Sequence, residues 1–246
     1  MSKISKSKRR ALVTGGSGDI GGAICRALAT QCCFVYIHAY ANAQRAEALA
    51  QEIRATGGQA QALVFDLTDA AATRAALDAA LHAGSIDIFV HNAGIHDDAP
   101  LAGMRDEQWY RVIDVSLHGF FHVVQPLLLP MARARFGRVV CVSSVAAQLG
   151  NRGQVNYAAA KSALHGAAKS LAREMASRGI TVNVVAPGVI EGRMSAAAFD
   201  PEQIRQLVPA ARPGTPEEVA ALVAFLCADT AAYINGQVIG VNGGMI

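Results

Sequence analysis

The sequence predicts an α/β fold, doubly wound, with a seven-stranded, mainly parallel sheet and helices on both faces. Seven short apolar runs alternate with amphipathic stretches from one end of the chain to the other, which is the pattern of strand–helix–strand units. The 52% hydrophobic content is high for 246 residues and suits strands covered on both sides, which read as unbroken apolar runs. A glycine-rich turn follows the first of these runs directly, where a chain of this class turns from strand into helix.

Met1 to Arg10 is basic and leads straight into the first strand, Arg10–Thr14, without an apolar signal core. The turn Thr14–Gly21 comes next. Its Gly16-x-Gly18-x-x-Gly21 spacing lets the backbone turn tightly and approach a pyrophosphate at a helix N-terminus; a plain glycine turn is the competing reading. Phe34–Ile37 reads as the second strand and Ala43–Ala55 as a helix. Ala62–Phe65 is the third strand, Asp69–His82 a helix, and Ile86–Val90 the fourth strand. Asp106–Arg133 has a long helical pattern, which Pro126 and Pro130 should bend or end near its C-terminus. Arg138–Ser143, the helix Val155–Ser177, Thr181–Ala186, the helix Pro216–Cys227 and Gln237–Val241 complete the series. No linker, repeat or low-complexity block interrupts it, so residues 1–246 read as a single domain.

Composition narrows the function. A net charge of +3, dispersed along the chain, gives no argument for nucleic acid. No stretch of ~18 residues lacks a polar interruption, which argues against a membrane span. Cys25, Cys32, Cys33, Cys141 and Cys227 have no paired metal spacing; they read as buried small hydrophobes in a reducing cytoplasm, and no metal site is expected.

Tyr157-Ala158-Ala159-Ala160-Lys161, preceded by Ser144, is the most informative segment, although a Tyr and a Lys at this spacing also occur often by chance. On a helix the i, i+4 spacing puts phenol and ammonium on one face. A lysine there favours the phenolate and lowers its pKa from ~10, so the tyrosine can exchange a proton with a carbonyl or alcohol oxygen. At the end of the second strand, Ile37-His38-Ala39-Tyr40-Ala41-Asn42 has no Asp or Glu to bond a ribose 2′-hydroxyl. That leans from NAD(H) toward NADP(H), with His38 and Asn42 as phosphate contacts or simple solvated loop residues.

Taken together, these segments resemble the short-chain dehydrogenase/reductase superfamily over essentially the whole chain, and most of all its 3-oxoacyl-(acyl-carrier-protein) reductase branch. Thr14–Gly21 matches the family's phosphate loop, Asp66-Leu67 its adenine-contacting pair, and Asn92-Ala93-Gly94 its strand-four segment. Ser144, Tyr157 and Lys161 match its catalytic positions, with the thirteen-residue step from serine to tyrosine, and Pro187-Gly188-Val189-Ile190 its nicotinamide-side segment. The resemblance implies a Rossmann-type fold and NADPH held by Gly15, Ser17, Gly18, Ile20, Gly21, His38, Asn42, Asp66, Leu67, Asn92, Ala93, Gly94, Tyr157, Lys161, Pro187, Gly188 and Ile190. It also implies a 3-oxoacyl thioester whose keto oxygen is held by Ser144 and protonated by Tyr157, with Lys161 on the nicotinamide ribose. Arg135 and Arg178 align with the branch's arginines for docking acyl carrier protein, or are ordinary surface arginines. A homotetramer, built through the long central helices and the C-terminal segment, is the family's common assembly.

Several residues depart from that pattern. Asp19 replaces a glycine of the phosphate loop, and Gly18 stands where many NADP-dependent members have arginine. Ser116 takes the place of the fourth catalytic residue, an asparagine that supports a water chain from the lysine; serine is shorter but still donates and accepts. Gly192 replaces a cofactor-contacting threonine, and His91, in place of an asparagine, reads as a packed or hydrogen-bonded histidine. Glu191 to Arg212, with Met194, Ala196, Ala197, Ala198, Phe199, Ile204, Leu207 and Val208, is either a wall of an acyl pocket or a short helix packed on the domain. The rival readings are a reductase of a CoA thioester, polyketide, sugar or cyclic ketone, and a non-catalytic nucleotide-binding regulator.

Overall fold

In the computed structural model, residues 9–31, 33–192 and 200–246 are described. Seven strands form one parallel sheet in the order β3-β2-β1-β4-β5-β6-β7: β1 Arg10–Thr14, β2 Phe34–Ala39, β3 Gln59–Val64, β4 Ile88–His91, β5 Gly137–Val142, β6 Ile180–Pro187 and β7 Val238–Val241. Strand order reverses between β1 and β4, where Ala11 pairs with Ile88 and Thr14 with His91. In a sheet of this kind the crevice at such a reversal, outside the carboxyl ends of the strands, is where ligands bind.

The alternation of β1 explains the layers. Ala11 and Val13 face a core completed by α1 (Asp19–Thr30) and α2 (Ala43–Ala55), together with Val219, Val223 and Leu226 of a late helix, Pro216–Cys227. Leu12 faces the opposite core, built with Leu77 of α3 (Ala70–His82), Phe89, and the helices that follow β4 and β5. Both faces are therefore covered, as the unbroken apolar strands require. The edge strand β3 starts earlier than expected because Gln59 and Gln61, exposed on its outer side, hide it from an apolar-run reading.

The central helical stretch is the main departure. It divides into α4 (Asp106–Ile113), a wide π-turn at Asp114–His118, and α5 (Gly119–Ala134). Pro126 and Pro130 lie inside α5 without ending it. An internal proline costs ~3 kcal/mol or more, but α5 buries Phe120, Val123, Val124, Leu127 and Met131 against the sheet. Each such side chain is worth ~1.5–3 kcal/mol, so packing wins. By length and apolarity alone the run Asp106–Ala134 is sufficient to cross a membrane, despite its polar interruptions; here its buried face packs on the sheet.

A short α6 (Ala146–Leu149) precedes the long α7 (Val155–Met175), and α8 (Pro201–Leu207) and α9 (Pro216–Cys227) close the helical set of the described residues. Asp200 and Thr215 each cap their helix through a reciprocal capping box. Met194, Ala196, Ala197, Ala198 and Phe199 of the expected acyl wall lie outside the described residues, as does Cys32. The other four cysteines are buried, and burial pushes the Cys141 and Cys227 thiols up to about 12.

Candidate active site

The phosphate loop is shaped by close backbone contacts. Gly15 takes φ +62, and a Cβ on Gly21 would lie 2.2 Å from the Gly15 carbonyl oxygen. Gly18 caps α1 with no side chain, so the amides of the first turn keep their donors directed at the cleft. A bare cradle of this kind, facing the partial positive charge of a helix N-terminus, fits a dinucleotide pyrophosphate. Asn92 braces the loop from behind: its Nδ2 donates to the Thr14 carbonyl at 3.2 Å and the Gly15 carbonyl at 3.1 Å.

His38 has no ring nitrogen left over for a phosphate. It is buried, its Nδ1 accepts from the Gly15 amide at 3.0 Å, and its Nε2 donates to the Phe65 carbonyl at 3.0 Å. Burial lowers its pKa to about 4, so it is a neutral strut under the loop. Asn42 is exposed at the start of α2 and remains available. Asp66 Oδ1 accepts from the Thr68 amide and hydroxyl, both at 2.8 Å, while Leu67 is buried in the second core. Pro187 and Gly188 are held by backbone bonds to Val145 and Val241, and Ile190 bridges to Gly214.

Ser144 follows β5, and Tyr157 and Lys161 project from the first turns of α7. Ser144 Oγ accepts from the Ala146 amide at 3.1 Å, and its hydroxyl lies close enough to the Tyr157 phenol to bear on its titration. Contrary to the sequence expectation, the phenol pKa is raised: burial pushes it up, the nearby Ser144 hydroxyl lowers it less, and Asp98 adds to the rise. Lys161 does not offset this, because its Nζ is turned onto the Val142 carbonyl at 3.0 Å and lies 5.9 Å from the Tyr157 ring centroid. Burial brings the Lys161 ammonium itself down to about 8. Gly94 makes room for it, since a Cβ there would be 2.7 Å from Nζ. Ser116 is fully buried on the π-turn, its Oγ without a partner among the described residues and 3.7 Å from the same Cβ point of Gly94.

The positions that hold α7 in place were not singled out as site residues from the sequence. Asn156 is fully buried; its Oδ1 accepts from the Tyr157 amide at 2.8 Å, and its Nδ2 donates to the Asp97 and Gln108 carbonyls at 3.0 Å. Ser143 Oγ lies 3.1 Å from the Lys161 carbonyl and 2.7 Å from His165 Nε2. A buried polar residue next to the tyrosine was the one available signal for Asn156.

Asp19 is engaged by Arg45, Nη2 to Oδ1 at 2.6 Å, rather than directed at the glycine turn alone. Arg135 and Arg178 come together, the guanidinium of Arg135 donating to the Ser177 carbonyl at 3.1 Å. They precede β5 and β6, at the opposite end of the sheet from Ser144.

Comparison with known proteins places the whole assembly. A family model described as enoyl-(acyl carrier protein) reductase matches residues 16–246. The chain is 44% identical over 238 residues to 3-oxoacyl-[acyl-carrier-protein] reductase FabG of Escherichia coli, covering 96% of each chain. The Aggregatibacter actinomycetemcomitans FabG is 43% identical over 95% of this chain and 98% of its own, and that of Staphylococcus aureus 42% over 98% and 99%.

Proposed function

Because the chain belongs to the short-chain dehydrogenase/reductase superfamily, we propose that it reduces a 3-oxoacyl thioester, carried on acyl carrier protein, to the 3-hydroxyacyl thioester in fatty-acid or related acyl biosynthesis. The observation that carries this reading is Tyr157, close to the Ser144 hydroxyl and with the buried Lys161 ammonium 5.9 Å from its ring centroid. Two hydroxyls on one side of a cleft suit a keto oxygen: Ser144 fixes it and meets developing negative charge, and Tyr157 supplies the proton. Burial keeps the phenol protonated at neutral pH, which is the state a reductase needs in that role. Lys161 holds its charge below about pH 8 and stands next in line to resupply the tyrosine.

A nicotinamide nucleotide, when bound, supplies the hydride; the glycine loop, Ala93, Gly94, Lys161 and the Pro187–Ile190 segment would hold it. The preference for NADPH rests on the end of β2, where Ala39-Tyr40-Ala41-Asn42 has no carboxylate to repel a 2′-phosphate. Arg135 and Arg178 are the docking pair for the acidic carrier. Homotetramer formation is supported by the exposed Tyr110, Phe121 and Leu129 on α4 and α5, and by Tyr233 and Ile246 near the C-terminus. The working compartment in this reading is the cytoplasm, with neither membrane nor nucleic acid as partner.

The test follows NADPH absorbance with acetoacetyl thioester on carrier protein and on CoA, with NADH as cofactor control. Crotonyl thioester is the substrate control, since the matching family model is described as an enoyl reductase. NADPH oxidation with the acetoacetyl substrates, faster on carrier protein, is the expected result. Tyr157→Phe should keep NADPH affinity within about twofold and lose at least ~100-fold in turnover. Turnover of crotonyl but not acetoacetyl thioester would overturn the reading.

A further inference from the structure

His91 is a buried titratable group that the reaction outlined above does not use. It ends β4, is fully buried, and packs its ring 5.6 Å from that of Phe120 and 6.0 Å from that of Phe89. Both nitrogens are committed. Nε2 lies 2.7 Å from the Ser116 carbonyl, which can only accept, so Nε2 carries the proton. Nδ1 is then an acceptor facing the Thr14 hydroxyl at 3.2 Å, whose proton it shares with the Val90 carbonyl at 3.4 Å. Thr14 Oγ1 in turn accepts from the amides of Asn92 at 3.1 Å and Ala93 at 3.2 Å. Burial, with the nearby Lys161 charge adding to it, lowers the imidazole pKa to about 3 and keeps this neutral tautomer throughout the neutral range.

The chain of bonds thus runs from the ends of β1 and β4 to the π-turn between α4 and α5. That turn presents Ser116, whose fully buried Oγ has no partner within the described residues. An unmade bond on a buried hydroxyl costs ~1–3 kcal/mol and calls for a reason. The point where a Cβ on Gly94 would sit is 3.7 Å from this Oγ and 2.7 Å from Lys161 Nζ, so hydroxyl and ammonium border one small polar space.

We propose that His91 is a positioning residue of the proton-transfer site: its hydrogen bond to the Ser116 carbonyl holds the π-turn so that the Ser116 hydroxyl faces the Lys161 ammonium across Gly94. The bond is made with the backbone of Ser116, so it orients the residue while leaving the hydroxyl free to serve the lysine. The kinetic part of this inference rests on the reductase reading; the effect on Lys161 does not.

Two measurements test it. In cofactor-free protein labelled with 13C-lysine, the midpoint of Lys161 is followed through its side-chain carbon shifts; the chain has five lysines, and Lys161→Arg assigns the signal. His91→Leu and Ser116→Ala should each lower that midpoint by at least ~0.5 unit, because each removes polar solvation from the ammonium, and the double variant should lower it no further. In turnover, each single variant should cut kcat by about tenfold with the NADPH KM within about twofold, and the double variant should match the singles. His91→Gln, which keeps an N–H donor of similar reach, should restore both readouts toward wild type. If Leu at this site prevents folding, His91→Asn, too short to reach Ser116, is read in its place. An unchanged Lys161 midpoint in the folded His91 variant overturns the proposal, as do effects that multiply in the double variant. Absence of wild-type turnover on every thioester would instead bring down the reductase reading, with the Lys161 titration still deciding the role of His91.

Discussion

Asp19 presents Oδ1 to Arg45, and its Oδ2 lies 2.8 Å from where a Cβ on Gly192 would stand. The two residues depart from the family pattern in opposite senses, a side chain gained at one and lost at the other, and they occupy one space. His91 and Ser116 form a second such pair, joined at 2.7 Å. Each departure looks unfavourable when taken alone; in contact, the larger residue of each pair fills or grips what the smaller one leaves. Gly192 also has φ +152, where a side chain is strained. Gly192→Thr should therefore destabilise the chain by about 1–3 kcal/mol in denaturant melts, and by measurably less in an Asp19→Gly background. Equal losses in both backgrounds would refute the coupling. Sequence reading identified all four positions as departures, but contacts between residues this far apart along the chain exist only once β1, β4 and β6 share one sheet.

At the scale of elements, the ends of α5 and α7 matter as much as their lengths. Arg135 is the C-cap of α5 at φ +52, and Arg178 closes the turn after α7, so the two residues sit on neighbouring turns where β5 and β6 begin. The six residues of β5 put them ~20 Å from Ser144 along the strand. Charge reversal of both, Arg135→Glu with Arg178→Glu, should raise KM for a carrier-bound thioester about tenfold or more and leave CoA-thioester kinetics within about twofold. A parallel loss on both substrates would mean that the arginines serve the fold instead. The same helices show the limit of local rules. Pro126 and Pro130 carried a correct local cost but do not end the helix, and the break at Asp114–His118 was not foreseen. Packing of α5 on the sheet absorbed the prolines, while the π-turn that carries Ser116 left no periodic trace in the sequence.

For the molecule as a whole, two neutral histidines beneath the site make its stability depend on acid. His38 and His91 stay unprotonated in the folded chain down to about pH 4 and about pH 3, whereas in the unfolded chain they take up protons below about 6.5. Between those values the unfolded state binds more protons, so stability falls as pH drops. At pH 4.5 the loss should be about 2 kcal/mol per histidine relative to neutral pH. Urea melts of wild type and of His38→Asn or His91→Asn at pH 7 and 4.5 measure it: each variant should flatten the dependence, and an unaltered slope would exclude the histidine concerned.

The sequence by itself determined the seven strands, the parallel winding, the glycine loop and the serine–tyrosine–lysine set, because each is written in short-range periodicity or fixed spacing. Only the tertiary structure decided what the polar groups between them do. His38 proved to be a strut with both ring nitrogens bonded inside the fold. Lys161 turned to a backbone carbonyl and left the phenol pKa raised, and Asn156 emerged as the anchor of α7. Burial and hydrogen-bond partners set these roles, and both depend on which distant segments the sheet brings within about 3 Å of one another.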